Sequence, residues 1–325
     1  VTISNNFRPK CAVLLAVYNG MQYIEEQVQT ILNQTGVCVT IFVSIDVSSD
    51  GSEEWFSNLA ERDPRIVLLP YGVKFGGAAK NFFRLIRDVD FSQFDYIAFS
   101  DQDDLWYLDK LYKASVFLKK NAFHAYSSNV MAFWPNGRKM LVNKAQSQKT
   151  WDFLFEAAGP GCTYVISVKL MSAIKERLIK NWDIVQQVSL HDWYCYAFAR
   201  ANGYQWFIDP APSMLYRQHG KNQVGVNTGV KAYLNRIKQI KNGWWLTQAY
   251  LVASLVDLGS HSFVKSWSKL GRVDLLRLAT CAFQCRRRLQ EQLFFFFICL
   301  TLAITGGGKK MTPGNFDTIV IKGTE

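Results

Sequence analysis

Short, wholly apolar runs alternate with amphipathic stretches along the first hundred residues. Cys11 to Val17 is apolar throughout and stops at Tyr18-Asn19-Gly20, the pattern of a strand buried on both faces and ending in a turn. Met21 to Gln34 places Ile24, Val28, Ile31 and Leu32 at helical spacing,. Val37 to Ile45 predicts a second strand, Ser52 to Ala60 a second helix, and Arg65 to Leu69 a third strand. Ala78 to Val89 then predicts a helix and Tyr96 to Ser100 a fourth strand. Four such alternations at short spacing predict an α/β fold, a mostly parallel sheet wrapped by helices. Ligands in such sheets bind beyond the carboxyl ends of the strands. Three of those ends carry polar clusters, at Tyr18-Asn19, Asp46 to Asp50 and Asp101 to Asp104. They are expected to line one crevice.

The fourth strand organises the rest. It runs into Asp101-Gln102-Asp103-Asp104-Leu105-Trp106, three carboxylates at the rim of the sheet. Asp101 and Asp103 can project from one turn toward a divalent cation, and Mg²⁺ or Mn²⁺ favours carboxylate oxygen and shares its shell with phosphates. The plainer alternative is a polar turn in which Asp104 caps the next helix. There is no Gly-x-Gly-x-x-Gly and no Gly-x-x-x-x-Gly-Lys-Ser/Thr, so any phosphate must be neutralised without a glycine cradle,.

Beyond the acids, Leu108 to Lys120 reads as a helix, His124 to Trp134 as a strand and Pro135-Asn136-Gly137 as a turn,. Gly159 to Thr163 reads as a loop before a short strand, Tyr164 to Ser167, and Lys169 to Lys180 as a helix. His191-Asp192-Trp193 opens another helix, where an acid in the first turn is also explained by the macrodipole. Ile208 and Met214 bracket a proline-rich connection. It leads to a dense polar cluster, Tyr216-Arg217-Gln218-His219-Gly220-Lys221-Asn222, suited either to an exposed loop or to a diphosphate,.

Net charge changes the picture only in the C-terminal third. From Val226 onward there are 14 Lys and Arg against 5 Asp and Glu; before it, 23 against 21. That asymmetry predicts an anionic partner. Seven cysteines, none in Cys-x-x-Cys spacing, predict a reducing, cytoplasmic location and no zinc site,. Asn5, Asn6, Arg8, Pro9 and Lys10 precede a short apolar strand rather than a long apolar run, so no signal peptide is expected,.

Seven motifs in order resemble one family: Ala16-Val17-Tyr18-Asn19-Gly20; Ser44-Ile45-Asp46 with Asp50-Gly51; Lys80-Asn81-Phe82; Phe99 to Trp106; Gly161-Cys162-Thr163; His191-Asp192-Trp193; and Tyr216 to Gly220. Residues 11 to 225 are similar to a family-two glycosyltransferase of the glycosyltransferase A fold, and within it to a bacterial rhamnosyltransferase. The resemblance implies that Ala16, Tyr18, Asp46, Lys80, Gln102, Asp103 and Arg217 bind a nucleotide sugar. It implies that Asp101, Asp103 and His219 hold Mg²⁺ or Mn²⁺, and that Asp192 is the catalytic base of an inverting reaction. Trp106, Gly161, Cys162, Thr163, His191 and Trp193 would wall the donor or acceptor sugar. Many members carry two adjacent acids where this chain has Ile45-Asp46, and Glu where it has His191, which is therefore read as an orienter at most. The chemistry is consistent: inversion needs a base for the acceptor hydroxyl and help for a leaving diphosphate, not a second carboxylate as nucleophile.

Residues 226 to 325 are expected to form a helical, basic and aromatic membrane-associating region with a tail. Arg272 to Leu289 puts Val273, Leu276, Ala279 and Phe283 on one stripe with arginines elsewhere, which suits an anionic membrane surface,. Leu293 to Ile304 is too short to span. An ordinary helical subdomain and a homo-oligomer contact are the alternatives. The expected function is metal-dependent, inverting transfer of a sugar, from dTDP-L-rhamnose, to a polyprenyl-diphosphate-linked saccharide at the inner face of the cell membrane. A UDP-hexose donor is the alternative within the class. Nucleic-acid binding is the alternative outside it, disfavoured because Arg alternates with long Phe and Leu runs rather than isolated stacking aromatics. A sugar-nucleotide scaffold without turnover would not need Asp192.

Overall fold

A computed structural model describes residues 8–220 and 243–305. The polar cluster's Lys221 and Asn222 and the tail at 306–325 lie outside the described residues.

The predicted alternation is present. Strands β1 (Lys10–Val17), β2 (Cys38–Ile45), β3 (Ile66–Leu68) and β4 (Tyr96–Ser100) are separated by helices α1 (Ile24–Leu32), α2 (Ser52–Arg62) and α3 (Ala78–Asp88). β1 lies between β2 and β4, β3 flanks β2, and all these pairs are parallel. The strands are apolar because both faces are covered: Cys11 to Leu15 and Ile97 are wholly buried,. α3 packs Phe82, Phe83, Leu85 and Ile86 onto one face of this sheet, while Val28 and Ile31 of α1 and Phe56 of α2 belong to the cluster on the other.

The second half of the sheet is mixed. β5 (Leu105–Trp106), α4 (Lys110–Asn121), β6 (Ala125–Phe133), β7 (Lys139–Val142), β8 (Val165–Ser167), α5 (Val168–Lys180), α6 (Trp182–Val185), α7 (His191–Ala201) and β9 (Trp206–Arg217) follow in chain order. The strands run β3-β2-β1-β4-β8-β6-β9-β5, with β7 beside β6. β8 is antiparallel to β4 and β6, β9 is parallel to β6, and β5 is antiparallel to β9. The segment expected as a proline-rich connection is thus a twelve-residue strand. Pro210 and Pro212 are tolerated because the β6–β9 register shifts between Ser128 and Met131, and a bulge does not require the missing N–H. This strand carries Arg217 to the edge of the acidic turn.

The C-terminal helices are α8 (Trp244–Leu255), α9 (Ser262–Lys265), α10 (Arg272–Thr280), α11 (Ala282–Cys285) and α12 (Leu289–Ile304). Leu246, Val252, Trp267, Leu275 and Phe295 belong to the same apolar cluster as Phe82, Tyr164 and Trp193. The single helix expected from Arg272 to Leu289 is interrupted, with Arg286 extended. The reason is charge pairing. Arg287 donates to Asp152 (3.0 Å) and the Ala157 carbonyl, and Arg286 to the Phe155 carbonyl and Glu291 (3.0 Å). Two arginines expected to face a membrane therefore point inward.

Candidate active site

The polar ends of β1, β2 and β4 meet, as the pattern predicted. Gln102 braces the junction: its amide donates to the Tyr18 carbonyl (2.9 Å) and accepts from the Tyr18 N–H (2.8 Å). A Cβ on Gly20 would stand 2.8 Å from Gln102 Oε1, so this approach requires glycine. Asn19, at φ 46°, accepts from the Ser49 N–H at 2.8 Å. Asp50 accepts from the Met21 N–H and the Ser52 hydroxyl, and these bonds hold its carboxyl below the usual range despite burial. Tyr18 itself is 55% exposed and free to meet a ligand with its ring.

Asp46 is placed differently from expectation. It is buried, and both its oxygens accept backbone N–H groups, from Val47 and Phe75 on one and Gly76 on the other, each at 2.9 Å. It organises the loop that leads into α3, and through that loop the first turn of α3, where half-buried Lys80 stands. Ala16, also half-buried, is one residue from the end of β1.

The acidic turn concentrates carboxylates beyond what its own cations balance. Burial, with Asp103 and Asp192 nearby, pushes Asp101 up to about 7. Burial raises Asp103 too, against the pull of His219 and Arg217, and raises Asp104 well above its usual range. His219 Nε2 lies 2.7 Å from Asp103 Oδ2, and its ring lies 5.0 Å from that of Tyr23. Arg217 donates to the Asp103 carbonyl (2.8 Å) and to Glu26 (2.5 Å). Asp104 Oδ1 accepts the Arg217 N–H, while its buried Oδ2 has no hydrogen-bond partner among the described residues. Oxygens of Asp101 and Asp104 and the Cys162 Sγ lie within 4.8 Å of one another. Surplus buried carboxylate with an orphaned oxygen is a donor set that fits a hard divalent cation. Among the described residues the grouped donors are Asp101, Asp104 and Cys162; Asp103 and His219, expected as ligands, bond to each other and are not part of that group.

The Gly161–Thr163 turn joins these acids to α7. A Cβ on Gly161 would stand 3.0 Å from both Asp192 Cβ and His191 Nε2, so only glycine allows α7 this close. Asp192 is half-buried at the start of α7 and accepts the Trp193 N–H at 2.7 Å. Burial, opposed by backbone hydrogen bonds, pushes it up to about 6. It is close enough to Asp101 to raise that carboxyl. A carboxylate tuned toward neutrality beside a donor site suits a general base. His191 stacks on Phe82 with ring centroids 3.8 Å apart and is held neutral by burial, which lowers it to about 3.

All six expected sugar walls are buried instead. Trp106 and Trp193 are each 3% exposed. The Trp193 indole donates to the Phe153 carbonyl (2.9 Å), and the Trp106 ring is covered by Lys110, with Nζ 3.2 Å from its centroid. The Thr163 hydroxyl donates to the Pro160 carbonyl (2.7 Å) inside the turn. Both indoles bury more apolar area by packing than a rim position allows. Burial also raises the Cys162 thiol well above its usual range, so it is no nucleophile,. Reasoning from the sequence missed Asp104 as a member of the cluster, Glu26 as the partner of Arg217, and Lys110. The first was visible as a third acid in the run; the other two carried no local signal.

A crevice built from a parallel nucleotide-binding half-sheet, an acidic turn and a facing carboxylate defines a nucleotide-sugar-dependent transferase of the glycosyltransferase A type. The chain belongs to glycosyltransferase family 2: the family description "Glycosyl transferase family 2" matches residues 12–168. It is 44% identical over 287 residues to the dTDP-rhamnosyl transferase RfbG of Shigella flexneri, covering 88% of this chain and 99% of that one. It is 28% identical over 158 residues, 48% of this chain and 58% of the relative, to an Escherichia coli UDP-Glc:alpha-D-GlcNAc-diphosphoundecaprenol beta-1,3-glucosyltransferase, WfgD. Among solved structures the fold is shared with residues 1–349 of S. aureus TarS in complex with UDP. The TM-score is 0.52 at 12% identity, covering 90% of each chain. It is also shared with GalNAc-T7 bound to UDP, GalNAc and Mn²⁺, with a TM-score of 0.51 at 8% identity, covering 78% of this chain and 54% of that one.

Proposed function

We propose that the protein transfers L-rhamnose from dTDP-L-rhamnose, with inversion, onto a polyprenyl-diphosphate-linked saccharide during surface polysaccharide synthesis. The observation that carries the reaction type is the convergence of Asp101, Asp103 and Asp104 with Asp192 across the Gly161–Thr163 turn. The donor sugar rests on the near full-length similarity to a dTDP-rhamnosyl transferase. The lipid-diphosphate acceptor rests on the named substrate of the more distant glucosyltransferase.

In this reading Asp192 accepts the proton of the acceptor hydroxyl as that oxygen attacks the anomeric carbon. Its raised affinity for a proton matches the task, because a base near neutrality combines deprotonated form with driving force. Arg217 and Lys80 flank the donor and offer positive charge to its diphosphate. Tyr18 presents an exposed ring to the base. Asp101, Asp103 and His219, joined by Asp104, would hold Mg²⁺ or Mn²⁺, which supplies positive charge to a leaving diphosphate.

The C-terminal helices support a place at the inner, cytoplasmic face of the membrane. Val273, Leu276, Phe283, Leu289, Leu293 and Phe297 are all exposed, and Arg272, Arg277 and Arg288 are exposed among them. Apolar side chains interleaved with cations suit an anionic lipid surface. No helix among the described residues is long and apolar enough to cross a membrane.

The test is transfer to a synthetic polyprenyl-diphosphate saccharide from dTDP-L-rhamnose or UDP-hexoses, with and without EDTA, with NMR of the product linkage. Rhamnosyl product of inverted configuration, lost on chelation, is expected. Transfer from UDP-sugars alone would overturn the donor, and retained configuration would overturn the mechanism.

A further inference from the structure

Lys110 opens α4 and is among the largest wholly buried side chains of the described residues, 1% exposed. A buried ammonium is costly unless its hydrogens find partners. Here they find neutral ones. Nζ donates to the Cys162 carbonyl at 2.5 Å, stands 3.9 Å from the Met214 sulfur and lies 3.2 Å from the Trp106 ring centroid. Burial pushes the group down to about 7, with Asp104 and Asp101 pulling the other way, and direct contact leaves Nζ a donor to neutral groups. A methionine or leucine would fill the same volume without the desolvation cost, so packing alone does not account for a lysine.

The location says what the side chain does. The Cys162 carbonyl belongs to the turn whose Gly161 abuts Asp192, and the Cys162 thiol lies against Asp101 and Asp104. Trp106 and Met214 are paired across β5 and β9, the strands that flank the acidic turn and lead to Arg217. One side chain therefore ties the acidic turn, the Gly161–Thr163 turn and the β9 arm together.

We infer that Lys110 is a positioning residue: its Nζ, donating to the Cys162 carbonyl, fixes the separation between the acidic turn and Asp192. It touches neither substrate nor the reacting atoms. The inference rests on the base role of Asp192 proposed above, and the two fail separately. If the wild type transfers no sugar, the functional reading falls whatever Lys110 does.

The experiment compares Lys110→Met, Lys110→Gln and Leu111→Ala with the wild type, measuring kcat, both KM values and melting temperature. Leu111 is the buried neighbour on α4 and lies outside the site, so Leu111→Ala reports the cost of loosening the helix. Lys110→Met is expected to lower kcat at least about 30-fold with both KM values within about threefold, the mark of a misplaced reacting group rather than lost binding. Lys110→Gln keeps a donor for the Cys162 carbonyl and is expected to recover part of that kcat. Leu111→Ala is expected to lower the melting temperature and leave kcat within about threefold of the wild type. A Lys110→Met kcat no lower than that of Leu111→Ala would reduce Lys110 to packing and overturn the inference. So would equal kcat for the Met and Gln variants. If Lys110→Met does not fold, Lys110→Gln against Leu111→Ala decides: a kcat equal to that of Leu111→Ala overturns the inference, and an intermediate one supports it.

Discussion

The acidic turn and the arginine cluster around Asp152 are both buried knots of charge, built to opposite balances. Around Asp152 every charge has a matched partner. Arg287 meets one oxygen at 3.0 Å and Arg200 the other at 3.1 Å, and the Tyr196 hydroxyl donates at 2.9 Å. Glu156 accepts the Arg287 N–H at 2.6 Å. This cluster joins the C-terminal helices to α7, and its opposite charges pair with one another, although the Nε atoms of Arg286 and Arg287 have no hydrogen-bond partner among the described residues. The acidic turn has three carboxylates, an orphaned oxygen on Asp104, and a lysine bonded only to neutral groups. The contrast teaches how a buried charge cluster is read. One whose opposite charges pair holds structure together, and one left acidic suits the proposed cation and its phosphates.

The comparison can be broken first at Asp192. Asp192→Asn, nearly isosteric, is expected to cut kcat by about 10²- to 10⁴-fold, the range for removing a general base, with the melting temperature little changed. Steady-state transfer assays and thermal unfolding check this together. At the other cluster, Arg287→Met leaves Asp152 short of a cation and is expected to cost about 3–5 kcal/mol of stability, measured by urea unfolding. Activity per folded molecule should survive. A smaller effect sharpens the contrast by sign. Asp104 is raised because its charged form is disfavoured in the fold, so neutralising it relieves the folded state at neutral pH. Asp104→Asn is expected to raise the melting temperature while lowering transfer. The pH dependence has a fixed direction as well. As the proposed base, Asp192 would work as the carboxylate, and burial pushes it up to about 6, so kcat should rise with pH through that value and level above it. The smallest expected effect is at the exposed face: Leu293→Glu with Phe297→Glu should weaken sedimentation with anionic vesicles severalfold and leave transfer to a water-soluble acceptor unchanged.

How much of this was legible in the sequence divides along the same line as the physics. The parallel half-sheet could be read because burial on both faces forces unbroken apolar runs such as Cys11 to Val17. The acidic turn could be read because three carboxylates after a buried strand have few structural uses. β9 was hidden by Pro210 and Pro212, which argue against a strand unless the bulge in its partner is known. The break before α12 was hidden because Arg286 and Arg287 look like surface charges until Asp152 and Glu156, about 130 residues away, are placed beside them. Lys110 was hidden most completely. A lysine in the first turn of an amphipathic helix reads as solvated, and only the β5–β9 pairing over it shows otherwise. Trp106 and Trp193 misled in the other direction, since an aromatic next to a catalytic motif packs beneath it as readily as beside a sugar.

The most direct test of the account sets the two clusters against each other in one pair of proteins, Asp103→Asn and Arg287→Met, each measured for kcat and for urea unfolding. The account predicts a crossed result: Asp103→Asn loses transfer and keeps its stability, and Arg287→Met loses stability and keeps transfer in the folded fraction. Full transfer by Asp103→Asn, or transfer lost in folded Arg287→Met, would contradict the division between a site left acidic and a cluster whose opposite charges pair.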